Sequence, residues 1–308
     1  MSRRLSFVAL LLVGAAAAAG AQDALTTARA TLAIRNAAGV QLLVAPEHAQ
    51  PTLRIILPGE PASDRTFDVL FPEHVTVVRP GRDDGERLYM FQPGQRGERP
   101  VWRSKGTSLE YERDLPSDVH LLARATMEDD GVRIHYEFTN RSKVAYDLVY
   151  APTDPRLTGI LHDERLERTY VHHPDGFDLL ASETPDRLTM LLDRWLPARY
   201  LASLTAPIPA QRVQRRDDGI TYYYKSRPVD QPFIATRSTD GQWIVASVAR
   251  EAGNVWSNPE LTCQHVDGRP SLPAGQRRTV EMKLLVMRGS LDDALRRAVQ
   301  QRASLAKP

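Results

Sequence analysis

Two long runs of alternating apolar and polar residues, joined by a short acidic turn, constrain this chain most. The runs are residues 119–127 and 132–140, with Glu128, Asp129, Asp130 and Gly131 between them. Because strand side chains alternate, the second run turns four large apolar residues to one side. They are Val132, Ile134, Tyr136 and Phe138. The pattern is typical of an antiparallel hairpin with one face in a core, and it puts His135 on the polar face as a solvated or cross-strand residue.

Similar short alternating runs, separated by polar turns, recur along the chain. Before the central hairpin, strands are predicted at residues 31–35, 40–44, 53–57, 66–71, 75–78 and 88–92. After it, strands are predicted at residues 144–150, 167–173, 220–225, 233–237, 243–249 and 279–287. Such a succession predicts an all-β chain.

Helices are predicted at only two places, since 22 prolines and 18 glycines leave little room for long ones. A short helix is expected at residues 186–195, started by Asp186 and ended before Pro197. Ser290 caps a second helix at the C-terminal end, with Asp292 and Asp293 in its first turn. The predicted fold class is all-β: a large antiparallel β-sandwich with a short C-terminal helix, formed by one domain over residues 22–308.

The first 21 residues have the composition of a secretory signal peptide. Arg3 and Arg4 precede an apolar run, and Ala19-Gly20-Ala21 forms a cleavage site before Gln22. Removal of two arginines reduces 40 basic residues to 38, which equals the 38 acidic ones. A neutral mature chain argues against nucleic acid or an anionic membrane as the partner. We therefore predict a periplasmic or secreted protein, with no membrane association after signal cleavage.

Residues 254–268 concentrate chemically capable side chains. They include the single cysteine, Cys263, together with Trp256, His265 and Asp267. If the segment is a loop that runs into a strand, Leu261, Cys263 and His265 share one face. Two interpretations follow: a core strand whose histidine satisfies its hydrogen bonds, or a buried strand that opens into a polar pocket. Cys263 is expected to be a buried, inert thiol, because one cysteine cannot form an internal disulfide.

Three further groups are candidates for a site. Arg168 offers a guanidinium fork to a carboxylate or a pair of hydroxyls. His172 and His173 lie next to each other on a predicted strand and so point to opposite faces. Trp102, Trp195, Trp243 and Trp256, with Tyr222 and Tyr224, supply the flat faces on which sugar rings stack. For each group a purely structural role is the alternative, and the histidine spacing predicts no metal site and no cofactor.

The sequence lacks the motifs of serine hydrolases, P-loop enzymes and dinucleotide-binding enzymes. Residues 131–140, the later aromatic strands, and Leu272-Pro273-Ala274-Gly275-Gln276 before the strand at 279–287 resemble the galactose mutarotase-like supersandwich of exported bacterial proteins. That resemblance implies carbohydrate binding in a concave sheet, with a histidine acid and a glutamate base in the epimerases. His265 is the residue placed in such a role.

The sequence therefore predicts an exported carbohydrate-binding or carbohydrate-active protein. Its predicted catalytic residues, for epimerase, lyase or hydrolase chemistry, are His265, Arg168 and His173. Its predicted substrate-binding residues are Trp256, His172, Asp267, Tyr222 and Tyr224. The alternative is a non-catalytic envelope module that binds glycan or a protein partner.

Overall fold

The described strands form four sheets, in which every pair of neighbouring strands is antiparallel except β15 (Arg199–Ser203) with β17 (Thr221–Tyr224). The computed structural model describes residues 33–88, 99–266 and 268–307. The predicted signal peptide lies outside the described residues, as do Asp267 and the end of the strand predicted at 88–92. The largest sheet has nine strands, which in spatial order are β14 (Gly176–Leu179), β13 (Thr169–His173), β18 (Phe233–Arg237), β19 (Trp243–Ala249), β21 (Arg277–Arg288), β10 (Gly131–Asn140), β9 (Val119–Glu128), β8 (Ser108–Leu115) and β7 (Arg103–Lys105).

Three smaller sheets accompany it. The five-stranded sheet has the order β1 (Ile34–Arg35), β2 (Gln41–Val44), β3 (Thr52–Ile56), β4 (Thr66–Leu70) and β12 (Asp154–Arg156). The three-stranded sheet has the order β11 (Leu148–Tyr150), β5 (Val75–Val78) and β6 (Gly85–Leu88). The four-stranded sheet has the order β16 (Val213–Arg215), β17 (Thr221–Tyr224), β15 (Arg199–Ser203) and β20 (Asn254–Ser257), with β15 and β17 parallel.

The predicted central hairpin is confirmed as β9 and β10. The first residue of β10, Gly131, has φ of 142°, a conformation open mainly to glycine. On the far side β10 pairs with β21, so that His135 lies opposite Glu281, and its Nδ1 is 2.9 Å from Glu281 Oε1. The cross-strand role expected for His135 is therefore present.

Strand β19 is apolar at every position except Ser247, whose hydroxyl donates to Gln264 Oε1. Its alternate residues Trp243, Val245 and Ala249 join the main core, which draws on all four sheets. Ile244, Ala246 and Val248 face a second apolar cluster on the opposite side of the sheet. A strand covered on both faces is therefore a nearly continuous apolar run, in which a polar side chain needs a buried partner. The observed sheets confirm the all-β sandwich class.

The predicted C-terminal helix is confirmed and covers that second face. Helix α2 (Leu291–Arg302) follows α1 (Leu192–Trp195), and its Ala294 and Ala298 pack into the second cluster. Ser290 Oγ accepts a hydrogen bond from Asp293 N, and the Asp293 carboxylate accepts one from Ser290 N. This capping box satisfies two main-chain donors that a helix start would otherwise leave unpaired. Neither helix has the length and apolar run needed to cross a bilayer, and the same is true of every helix in the described ranges.

Two local predictions need correction. The helix expected at 186–195 is reduced to Leu192–Trp195, because Asp186 has φ of 53° and the chain forms turns from there. The strand expected to start at residue 88 starts at Gly85, and residues 89–92 lie outside the described residues. This earlier start follows from pairing with β5, in which Gly85 lies opposite Val78.

Candidate functional site

An open pocket of about 410 Å³ lies between the three-stranded and four-stranded sheets. One wall consists of the turn before β5, a residue of β6 and the end of β11. The other wall consists of β15, β17 and β20 with the turn between β16 and β17. The carbohydrate site was expected on a concave sheet face, and that expectation stays a prediction. The pocket is lined by residues at paired positions of β15, β17 and β20, which lie on one face of the four-stranded sheet.

Aromatic side chains that the sequence selected meet in this pocket. Tyr222 and Tyr224 of β17 and Trp256 of β20 all line it. Alternation along β17 sends Tyr223 to the other side, where its ring stacks on Tyr200 at 5.2 Å. Of the other tryptophans, Trp195 and Trp243 are fully buried in the core. The predicted aromatic surface therefore forms from Trp256, Tyr222 and Tyr224.

Arginines lie among these rings. The guanidinium of Arg199 is 5.6 Å from the Trp256 ring centroid, and that of Arg216 is 5.2 Å from Tyr222. Arg269 lies over Tyr150 at 4.3 Å. Guanidinium groups are attracted to aromatic faces, which holds these long side chains at the pocket. Arg87 is a fourth arginine of the lining.

Two neighbouring titratable residues, Glu73 and His74, lie in the pocket wall just before β5. Burial, and then the nearby charge of Asp154, raise the pKa of Glu73 above its usual range. Burial, and then the positive charge of Arg87, lower the pKa of His74 to about 4. His74 Nδ1 is 2.9 Å from Thr76 Oγ1, so a ligand would have to contact Nε2. Both side chains are therefore biased toward their neutral forms, which suits an acid paired with a base.

His265 lies directly behind Trp256. Their rings are parallel, 3.8 Å apart, and their main chains exchange two hydrogen bonds. Only 2% of the His265 surface is exposed. It was predicted as a catalytic acid or base, but contact with a ligand would require Trp256 or the surrounding chain to move. The catalytic role thus stays a prediction, while the structure shows His265 supporting an aromatic wall.

A buried acid lies on the far side of His265. Asp154 Oδ1 is 3.5 Å from His265 Nε2, and Arg156 Nε donates a 2.7 Å hydrogen bond to Asp154 Oδ2. Burial by itself raises the pKa of Asp154, but His265 and Arg156 outweigh it, so the pKa lies below its usual range. An ionised carboxylate therefore anchors the imidazole, and through it the indole of Trp256.

The segment after β20 is not the strand predicted there. Residues 258–262 form a turn, with Thr262 at φ of 44°, and only single bridges follow, from Cys263 to Arg156 and from His265 to Trp256. The predicted common face of Leu261, Cys263 and His265 consequently does not arise from strand alternation. Cys263 is buried, as expected, and its thiol donates to Asn258 Oδ1 at 3.2 Å.

Asp154, Cys263 and His265 are also the described residues best placed to hold a metal ion. Each offers one ligand atom, and these atoms lie within 4.8 Å of one another. A carboxylate, a thiolate and an imidazole suit zinc. However, Arg156 already neutralises Asp154, and Cys263 is hydrogen bonded to Asn258. The absence of a metal therefore stays a prediction.

Arg168, His172 and His173 do not line the pocket and have partners elsewhere. The Arg168 guanidinium donates to the carbonyls of His162 and Arg237. His172 Nδ1 is 2.8 Å from Asp230 Oδ1. His173 is fully buried, and its Nδ1 is 2.7 Å from the Pro228 carbonyl. Their predicted roles in catalysis and binding stay predictions, and the contacts given by the structure are structural.

A second, larger hollow of about 630 Å³ lies over the five-stranded sheet. Its central charges satisfy one another: Arg54 donates two hydrogen bonds to Asp68, at 2.8 and 2.9 Å, and His48 Nε2 is 2.9 Å from the same carboxylate. Such a hollow offers a ligand fewer available charged groups than the pocket between the small sheets. We therefore assign the candidate site to that pocket.

Comparison with known proteins supports a loose likeness of structure. No protein-family model matches the sequence, and no curated protein does. A galactose mutarotase related enzyme from Lactobacillus acidophilus is 13% identical, with a TM-score of 0.44, over 84% of this chain and 97% of that one. Galactose mutarotase-like proteins from Lactobacillus casei (12%, TM-score 0.44, 83% and 99%) and Clostridium acetobutylicum (10%, TM-score 0.43, 82% and 94%) are similar to the same degree. The resemblance stated from the sequence is thereby confirmed as a structural one.

Proposed function

We propose that this is an exported carbohydrate-binding protein whose ligand occupies the pocket between the two small sheets. The observation that carries the proposal is the meeting of Trp256, Tyr222 and Tyr224 in one open pocket with polar side chains around them. The C–H faces of a sugar ring pack on aromatic rings, while its hydroxyls bond to polar groups at the edge. Asn254, Asp218 and the arginines supply such groups here.

A second candidate function is catalysis on the bound sugar, and Glu73 with His74 favours it. The two residues are adjacent in the pocket wall and their pKa values shift in opposite directions. A protonated carboxyl that donates and a neutral imidazole that accepts are the requirements of general acid–base catalysis. In this proposal Glu73 and His74 take the role that the sequence had assigned to His265.

Binding by the aromatic wall can be tested with the purified mature chain and a panel of oligosaccharides. We expect Tyr222→Ala and Trp256→Ala each to weaken binding about five- to tenfold, since one stacking contact contributes about 1 kcal/mol. Isothermal titration calorimetry measures this change. Tyr170→Ala, on β13 and outside the pocket lining, is the control and should bind as the unaltered protein does.

The same panel distinguishes the two candidate functions. If sugars bind and are converted, Glu73→Gln and His74→Gln should abolish conversion while binding persists. If sugars bind and none is converted, the protein binds carbohydrate without catalysis and the second candidate function is wrong. If Tyr222→Ala and Trp256→Ala both bind sugar as tightly as the unaltered protein, the ligand does not occupy this pocket.

A further inference from the structure

The charge of the pocket differs from that of the chain as a whole. Basic and acidic residues are nearly equal in number, 40 against 38. The pocket, however, is lined by four arginines, Arg87, Arg199, Arg216 and Arg269, against two carboxylates. One of those two, Glu73, has a raised pKa, so it offsets the cations less than an exposed glutamate would. The pocket is therefore a local positive field on a near-neutral protein.

The contacts of Arg216 and Arg199 suit a ligand better than an internal ion pair. Arg216 Nε is 3.9 Å from Asp218 Oδ2, and both side chains are largely exposed, so that pair is weak. Arg199 directs Nη1 to the main-chain carbonyls of Pro197 and Ala198. By contrast, Arg54 in the larger hollow donates two short hydrogen bonds to one carboxylate. Contact with an aromatic face positions Arg199, Arg216 and Arg269, and a guanidinium held in this way can still donate hydrogen bonds from its edge.

A guanidinium held beside an aromatic face matches one class of ligand. The ring face packs against the C–H groups of a sugar, and the guanidinium fork binds an oxyanion with two parallel hydrogen bonds. Arg199 with Trp256 and Arg216 with Tyr222 provide this arrangement twice in the four-stranded sheet wall. Arg269 with Tyr150 provides it once in the opposite wall. A neutral sugar would use the hydrogen-bonding capacity of these groups but not their charge.

We propose that the ligand of this pocket is an anionic carbohydrate, a sugar that carries carboxylate, sulfate or phosphate groups. The inference rests on the proposed carbohydrate-binding function and specifies its ligand class. The aromatic rings bind the sugar rings, and the arginines select for the anion. Affinity consequently depends on both groups, whereas discrimination against neutral sugars depends on the arginines.

The test compares four probes with the mature protein by calorimetry. They are a galacturonic acid tetrasaccharide, a sulfated galactan tetrasaccharide, glucose 6-phosphate and neutral maltotetraose. At low salt we expect at least one anionic probe to bind about tenfold or more tighter than maltotetraose, with an affinity that falls as salt rises. The three anionic probes identify which oxyanion the site prefers.

Variants separate the contribution of the arginines from that of the rings. Arg269→Gln and Arg216→Gln should each weaken the anionic probe about five- to tenfold and weaken maltotetraose by a clearly smaller factor, because the glutamine amide can still bond to hydroxyls but carries no charge. Tyr222→Ala should weaken both kinds of probe. Arg277→Gln is the control, because Arg277 is exposed on β21, pairs with Glu137 and does not line the pocket.

Each other outcome overturns the inference in a recognisable way. If maltotetraose binds as tightly as the anionic probes, the ligand class is wrong and the carbohydrate-binding function stands. If no probe of any kind binds, both proposals fall. If inorganic phosphate binds as tightly as the anionic sugars, the arginines form a simple ion site and the inference fails.

Discussion

At the scale of single residues, burial in the pocket wall disfavours the charged forms of two adjacent side chains, Glu73 and His74. Glu73 gains a raised pKa and His74 a lowered one, mainly because burial removes water from both. Arg87 adds to the effect on His74 because two positive charges repel. Neutral forms of an acid and a base can therefore coexist at one pH.

The lowered pKa of His74 has a consequence for stability. In the unfolded chain the imidazole takes up a proton below its ordinary pKa of 6.5, whereas in the folded protein it does so only near 4. The stability contributed by neutral His74 is thus complete above pH 6.5 and is lost as the pH falls toward 4. Between about pH 7 and about pH 4.5 we expect the unaltered protein to lose about 2 kcal/mol more than His74→Gln, after allowance for solvent screening. Urea unfolding at both pH values measures this, and equal losses would contradict the lowered pKa.

At the scale of elements, the strands that the sequence predicted best are two β-rich runs that flank a polar turn with a glycine. Phe233–Arg237 and Trp243–Ala249 were predicted residue for residue, and Gly241 lies in the turn between them. Predictions failed where contacts with distant residues decide the backbone. Residues 258–262 turn, instead of extending, in a segment where Thr262 Oγ1 accepts from Asp163 N and the two single bridges reach Arg156 and Trp256. A local sequence pattern does not identify such distant partners.

The central hairpin offers a sharp test of element stability. A Cβ at Gly131 would lie 2.1 Å from the Leu284 carbonyl on β21, in addition to requiring φ of 142°. Gly176, with φ of 127°, has no atom within 4 Å of such a Cβ and is the matched control. Both alanine variants carry backbone strain, but Gly131→Ala must also separate β10 from β21. We expect it to cost at least about 2 kcal/mol more than Gly176→Ala in the free energy of unfolding. Equal costs would show that the hairpin moves away from β21 easily.

At the scale of the whole molecule, the candidate site exists only because two sheets meet. Alternation alone identified Tyr222 and Tyr224 as neighbours, and composition pointed to Trp256. No pattern linked them to Glu73 and His74, which precede them by about 150 residues and follow Pro72 in a segment expected only to separate two strands. No sequence motif placed Arg199, Arg216 or Arg269 beside these rings. The aromatic half of the site was therefore predictable, and the charged half was not.

Export is a property of the whole chain and remains a proposal. When the full chain is expressed in a bacterium with a periplasm, we expect a mature protein that begins at Gln22 and is recovered from the periplasmic fraction. Intact mass spectrometry gives the cleavage position, and Ala19→Arg with Ala21→Arg should block processing. A cytoplasmic protein that retains its first 21 residues would contradict the proposal.

The stacking of Trp256 on His265 also has an optical consequence. Trp195 and Trp243 are fully buried, and the partly buried Trp102 stacks on Phe71 outside the pocket. Trp256 is the tryptophan that lines the pocket, and its ring centroid is 3.8 Å from that of the His265 imidazole. Indole fluorescence responds to water on its ring and to quenching by a nearby imidazole. A sugar that displaces water from Trp256 should therefore change the emission of the unlabelled protein, which gives the pocket its own spectroscopic reporter.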